Sequence, residues 1–190
     1  MIEGKLVDLR PFEMSDLDDD WRWVNDREFT RYVSMRYPVP RLAEEEWLRA
    51  RTSQFPAYGE QRFAIETKDG RHIGNCSLFD VRPADRVAEL GIGIGEKDCW
   101  SRGYGTDAVI TLTRWGFEEM DLRRVFLTVY DFNVRGRKAY AKAGFVEEGC
   151  LRKAIYREGR RVDLVIMGAL RDEFFALHGA PPAAVEEVAR

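Results

Sequence analysis

The sequence has little of what builds metal centres or disulfide scaffolds. Histidine occurs only at His72 and His178, and cysteine only at Cys76, Cys99 and Cys150. Three scattered cysteines without CxxC spacing exclude a disulfide framework and a zinc ribbon, and two histidines are too few for a histidine-rich site. No metal is expected. Also missing is any apolar run near the roughly 20 residues that span a bilayer. The opening MIEGKLVDLRPFEM has neither the basic nor the apolar part of a signal peptide. The expectation is therefore a protein of the cytoplasm, with reduced thiols and no membrane partner. Net charge is only -3 and neither end carries a basic arm, so no nucleic-acid partner is expected.

What is present is a globular composition, 45% hydrophobic and 33% charged, in a chain of 190 residues, which suits one packed core. Residues 1–178 read as a single domain and 179–190, GAPPAAVEEVAR, as a loosely held tail. Acidic residues crowd Asp16, Asp18, Asp19 and Asp20, while Arg and Lys crowd Arg152 to Arg161. Both clusters read as solvated faces, the first of them at a helix start.

Periodicity outlines the elements. Lys5 to Arg10 alternates as a strand, and a helix follows from Ser15 through Leu17 to Asn25. A second helix is expected over Leu42 to Arg51. Arg62 to Thr67, His72 to Val81 and Val87 to Ile94 read as an antiparallel meander, because turn signals separate them. From Gly103 the pattern becomes helical through Ala108, Leu112, Trp115, Phe117 and Met120. Arg123 to Tyr130 is a buried-type strand, Val134 to Lys142 a helix stopped by Gly144, and Phe145 to Gly149 and Val162 to Leu170 are strands. The fold class is α+β, a mixed sheet with helices packed on it.

The strongest chemical signal is Trp100-Ser101-Arg102-Gly103-Tyr104-Gly105-Thr106, placed between a strand and a helix. A helix N-terminus offers unpaired N–H groups, small residues let an anion approach the backbone, and Arg102 adds charge, so a phosphate or pyrophosphate fits. The alternative is a tight glycine turn. No Gly-Lys-Ser/Thr follows, and Gly91-Ile92-Gly93-Ile94-Gly95 lacks GxGxxG spacing, which counts against a nucleotide fold of either familiar kind. Those glycines read as a bulged strand or one that something approaches closely.

The run from Gly91 to Ala108, with Val129-Tyr130-Asp131-Phe132-Asn133 and Arg137-Lys138-Ala139-Tyr140-Ala141-Lys142-Ala143-Gly144-Phe145, closely resembles the GNAT N-acetyltransferases. Within them it is similar to the ribosomal-protein and spermidine acetyltransferase branch, and Glu148 to Arg152, Gly159 to Asp163 and Met167-Gly168 extend the likeness over roughly residues 5 to 175, the span of one domain. The resemblance implies a single splayed mixed sheet of about seven strands with about four helices, and acetyl-CoA in the cleft. Ile92, Gly93 and Ile94 would pair with the pantetheine arm. Trp100, Ser101, Arg102, Gly103, Tyr104, Gly105 and Thr106 would cradle the pyrophosphate, and Asn133 would bond near the pantetheine. Trp100 stands where the wider family has Gln or Arg. Relatives are often homodimers.

The implied reaction is direct acetyl transfer to a primary amine: a peptide or protein N-terminus, a polyamine, or an amine-bearing antibiotic or toxin. An alkyl amine, with a pKa near ~10, must lose a proton, and Glu89 is the first candidate base. Its alternative is a solvent-facing residue paired with Arg86 or Arg123. Asp163, Glu28 and Glu148 are further candidates. Tyr140 would face the CoA sulfur and give it a proton, although periodicity alone reads it as a core aromatic. Cys99 and Cys150 raise a covalent acetyl relay, but no histidine stands near either in sequence. Trp21, Trp23, Tyr32, Tyr37 and Trp47 either wall the acceptor pocket or belong to the core. A CoA-binding module without turnover is the alternative from another class.

Overall fold

The computed structural model describes residues 1–53 and 59–180. Most of the expected tail therefore lies outside the described residues. One eight-stranded mixed sheet runs in the order β1-β2-β3-β4-β5-β6-β8-β7. Its strands are β1 (Ile2–Glu3), β2 (Val7–Arg10), β3 (Gln61–Thr67), β4 (His72–Arg82), β5 (Val87–Ile94), β6 (Arg124–Tyr130), β7 (Val146–Arg157) and β8 (Arg160–Leu170). The helices are α1 (Leu17–Val24), α2 (Arg27–Thr30), α3 (Arg41–Thr52), α4 (Tyr104–Glu119), α5 (Val134–Lys142) and α6 (Arg171–His178). Sequence reading expected about seven strands and four helices. The additions are β1, which is two residues long, α2, which is a single turn, and α6.

Strand alternation places helices on both faces. On β3, Ile65 joins the main core with Leu78, Val109, Leu112 and Phe117, while its neighbour Ala64 joins a smaller cluster with Phe12, Leu17 and Leu48. The first face is covered by α4, the second by α1 and α3. Helix α4 is held in register by Asp107, whose buried carboxylate accepts the N–H groups of Leu6 at 2.7 Å and Val7 at 3.1 Å. Helix α6 closes the far end through Phe174, which is buried against Phe117.

The central junction decides the architecture. Strands β5 and β6 pair in parallel only at Val87–Arg124, Ala88–Val125 and Glu89–Phe126. Beyond Glu89 strand β5 stays with β4 up to Ile94, whereas β6 stays with β8 up to Tyr130. The sheet therefore splits into a cleft, and the facing edge of β5 is free of strand partners there. Of the two readings of these glycines, the structure shows no bulge, since their pairing with β4 is regular, and shows the close approach instead. Rings of the same chain make it: a Cβ on Gly93 would lie 2.8 Å from the Phe29 ring, and one on Gly95, just past the strand, 2.0 Å from the Trp23 ring.

The acidic cluster stands at the start of α1 as expected, and Asp18 is exposed, but Asp16 and Asp20 do not belong to a solvated face. Asp16 is buried and accepts both terminal nitrogens of Arg10, at 2.8 and 2.9 Å, and the Glu13 N–H at 2.9 Å. Burial opposes its ionisation, but these donors hold its carboxyl below the usual range. Asp20, four residues on and so on the same helical face, is 2% exposed. Its Oδ1 accepts Asn75 Nδ2 at 2.7 Å, and its Oδ2 has no hydrogen-bond partner among the described residues. Burial pushes this carboxyl up to about 6. An unfolded aspartate titrates near ~3.9, so its contribution favours the fold below that pH and is lost as pH rises through the folded value. The variant Asp20→Asn is accordingly expected to melt higher than wild type at pH 7.5 and to lose that advantage at pH 4 in thermal unfolding.

Candidate active site

Two cavities meet in the cleft. The first, about 480 Å³, is lined by β5 at Ile92, Gly93 and Ile94, by Trp100, Ser101, Gly103, Gly105 and Thr106 at the mouth of α4, and by α5. Gly103 caps α4 with φ 92°, a left-handed conformation that glycine adopts without strain. The first intrahelical bond runs from Asp107 N–H to Gly103 O, so the N–H groups of Tyr104, Gly105 and Thr106 are free of helical partners. With the helix dipole behind them they make an anion seat.

Helix α5 supplies the opposite wall. Arg135, Lys138 and Lys142 line the cavity from one helical face, at i, i+3 and i+7. Sequence reading missed all three, although that spacing in VRGRKAYAK was the available signal. The remaining basic residue, Arg137, points elsewhere and pairs with Glu147 at 2.7 Å. The Arg135 guanidinium lies 3.7 Å from the centre of the Trp100 ring, whose Nε1 donates to Ile94 O at 2.7 Å. Trp100 is thus a fixed wall carrying a cation. Arg102 and Tyr104, expected in the cradle, do not line the cavity. Arg102 is exposed, with its guanidinium 5.9 Å from the Tyr104 ring, and Tyr104 packs against the main core.

The second cavity, about 500 Å³, lies on the α1/α3 face and includes Phe12, Trp47, Arg62, Phe79, Glu89, Thr128 and Tyr130. Tyr32, Val33, Ile92, Asn133 and Tyr140 line both cavities and mark their junction. Asn133 is buried, and its Oδ1 caps α5 by accepting the Gly136 N–H at 2.9 Å, which leaves its Nδ2 as a donor. The Tyr140 hydroxyl makes no hydrogen bond among the described residues, and burial pushes it up to about 12.

Glu89 is the last β5 residue before the split. It is half-buried, and neither Arg86 nor Arg123 pairs with it. Its Oε1 accepts the Thr128 hydroxyl at 3.0 Å. Burial raises its carboxyl above the ordinary range, against the lowering effect of that hydrogen bond. The other carboxylates considered are engaged: Glu28 with Lys97, Glu148 with Arg124, and Asp163 with the Lys153 N–H. Cys99 lines the first cavity and Cys150 is exposed; desolvation and then neighbouring carboxylates, Asp98 for Cys99 and Asp163 for Cys150, shift both thiols upward. Of the five aromatics noted in the sequence, Tyr32 and Trp47 reach the second cavity, Trp23 is core, and Trp21 and Tyr37 are exposed.

The basic segment before Arg161 is also not a simple solvated face. Strand β7 continues through it, and Arg157 donates to the carbonyls of Thr30 at 2.8 Å and Met35 at 3.0 Å, and to that of Val33. Tyr130 OH donates to the same Val33 carbonyl at 3.4 Å. These bonds clip the loop bearing Tyr32 and Val33 over the junction. Among the described residues no cluster of three His, Cys, Asp or Glu side chains is placed to hold a metal ion. No helix among them is long and apolar enough to cross a membrane.

A sheet split beside the open N-terminus of α4, joined to a second cavity that holds a carboxylate, gives room for an anionic group and for a second molecule next to it. Residues 7–146 match the acetyltransferase (GNAT) domain family, and the chain belongs to it. It is an acetyl-CoA-dependent N-acetyltransferase in class. The uncharacterized N-acetyltransferase p20 of Bacillus licheniformis is 26% identical over 168 residues, covering 87% of this chain and 93% of that one. The spermidine N(1)-acetyltransferase of Escherichia coli K12 is 27% identical over 175 residues, covering 92% and 91%. The crystal structure of the Vibrio cholerae spermidine N-acetyltransferase in complex with CoA and spermine aligns with a TM-score of 0.79 at 26% identity, over 90% of this chain and 98% of that one.

Proposed function

We propose that the chain transfers acetyl directly from acetyl-CoA to a small primary amine in a ternary complex, with Glu89 as base and Tyr140 as acid. The observation that carries this reading is the free Tyr140 hydroxyl at the junction of the two cavities, with Glu89 in the acceptor cavity. Basic α5 and the α4 mouth suit the phosphates of CoA, and the open edge of β5 at Ile92 to Ile94 suits its amide-bearing arm. The small-amine acceptors named for the E. coli and V. cholerae relatives support an acceptor of that size.

Chemically, the amine nitrogen attacks the thioester carbonyl and its proton passes to Glu89, directly or through water. The C–S bond then breaks, and the sulfur takes the Tyr140 proton, giving the N-acetylated amine and free CoA. Transfer of that proton gives a neutral thiol, the phenolate is reprotonated from solvent, and Glu89 gives its proton up to solvent, which restores both groups. The reading takes residues 1–178 as one catalytic domain, since a single sheet carries both walls of the cleft. Its three free thiols suit the cytoplasm.

Release of free CoA, followed with a thiol reagent across a panel of amines, tests the reaction. No acceptor-dependent release with any amine would overturn it. Replacing Glu89 by Gln should lower kcat/KM roughly 100-fold, the scale of a lost general base. Because burial disfavours the Glu89 carboxylate, the same neutral variant should melt no lower than wild type at neutral pH. A matched loss of activity and stability would remove Glu89 from the chemistry.

A further inference from the structure

The acceptor cavity holds positive charge that acetyl transfer does not use. Arg62 on β3 stands opposite Ser77 on β4, Ser77 stands opposite Gly91 on β5, and Glu89 lies two residues before Gly91. Opposed residues and residues two apart share one face of a sheet, so Arg62, Ser77 and Glu89 face the same side. All three line the second cavity. Two strand spacings and a two-residue step set the Cα atoms of Arg62 and Glu89 about 12 Å apart, a span for an amine that carries its acid group several bonds away.

Arg62 is reinforced from behind. Its guanidinium lies 5.5 Å from the centre of the Trp47 ring, and that of Arg51 lies 4.1 Å from the same ring. Glu60 takes one terminal nitrogen of Arg62, and Arg51 Nη1 donates to Trp47 O at 3.1 Å. The Nε atoms of both arginines are buried and have no hydrogen-bond partner among the described residues. Burial, together with the charge of Arg62, holds Arg51 below the usual guanidinium range. Glu60 offsets part of this positive charge, and Arg62, the member of the pair that lines the cavity, is the one that an anion entering it would meet. Among the described lining residues Glu89 is the one carboxylate, and Arg62 the one cation. A triamine would meet one negative charge and one positive charge, whereas an amine with an acid group several ångströms away would meet a complement at each end.

We propose that the acceptor is a primary amine that also carries an anionic group, a carboxylate or a phosphate, and that Arg62, backed by Arg51, selects it. This rests on the direct-transfer reading and narrows its substrate class.

The test is kcat/KM for acceptor pairs that differ in the acid group: an α-amino acid against its decarboxylated amine, a dipeptide against its C-terminal amide, and phosphoethanolamine against ethanolamine, with spermidine as the polycation. Wild type should favour the anionic member by about 10- to 100-fold, the worth of one charge-assisted hydrogen-bonded pair. The ratio should fall towards one in Arg62→Gln and be partly kept in Arg62→Lys, both compared at equal melting temperature. Preference confined to carboxylate or to phosphate pairs identifies the group. Equal rates within every pair, preference for spermidine, or a ratio unchanged in both Arg62 variants would sink this inference while leaving transfer intact. Release of CoA with none of these amines would remove the transfer reading and this inference with it.

Discussion

Replacing Tyr140 by Phe should lower kcat by about 100- to 1,000-fold, the range of a lost general acid, while the dissociation constant of acetyl-CoA changes less than about threefold. The separation follows from the geometry. The ring packs against Phe145 with centroids 6.5 Å apart, and Phe preserves that contact. The hydroxyl makes no hydrogen bond within the described chain, so its removal leaves no buried partner stranded. Its raised titration, about 12, keeps it protonated throughout the working range of the enzyme. A phenol so weakly acidic would be a poor donor to an aqueous thiolate of pKa near ~8.5, but the burial that raises the phenol also disfavours the departing thiolate, which narrows the gap. A thioester donor with a more acidic thiol needs less protonation, and with it the Phe variant should recover much of its lost rate. An equal defect with both donors, or weakened binding alone, would reduce Tyr140 to a packing residue.

Local order explains which parts of this site could be read in the chain. The strand, the turn through Gly103 and helix α4 are contiguous, so their chemistry stands in consecutive letters. The positions of Tyr140 and Asn133 were fixed by motif, and the structure brings both to the junction of the cavities. Strand β7 was read only to Gly149, because it lies at the sheet edge with bulges at Glu147/Gly149 and Leu151/Ile155 and no alternation of burial. Its turn did leave a signal: Glu158 and Gly159 both take positive φ between the paired Arg157 and Arg160, as a tight hairpin requires. Arg157 could not have been matched with Thr30 and Val33, more than 120 positions away, by any local pattern. The burial of Asp20 was hidden for the same reason, since its hydrogen-bond donor Asn75 lies 55 positions away, whereas Asp16 pairs with Arg10 only six positions before it. Charged runs therefore misled where long-range partners existed, whereas the glycine and aromatic motifs lie along short stretches of backbone that the fold gathers at the cleft.

Gly105→Leu should raise the dissociation constant of acetyl-CoA at least about tenfold and leave the melting temperature equal to or above that of wild type. Gly105 occupies the first turn of α4, where a built Cβ meets only Ile94 Cγ1, at an ordinary 3.5 Å, so the folded backbone accepts a side chain. Leucine in place of glycine favours a helix by up to about 1 kcal/mol, less in the first turn than in the interior. The added side chain, however, enters the cavity that Gly105 and Ile94 both line, against the free N–H groups of the helix mouth. Affinity and stability should thus move in opposite directions, which a folding defect cannot imitate. Gly103→Ala provides the contrast: at φ 92° any Cβ is strained by about 1–3 kcal/mol, so that variant should lose stability as well. Salt gives an independent reading, because attraction to Arg135, Lys138 and Lys142 weakens with screening, and wild-type affinity should fall as ionic strength rises from 0.05 to 0.5 M, a range over which the Debye length shrinks from roughly 14 to 4 Å. Unchanged acetyl-CoA affinity in a well-folded Gly105→Leu protein would mean that the phosphates do not reach α4, and the donor would then have to enter the cleft along a different path.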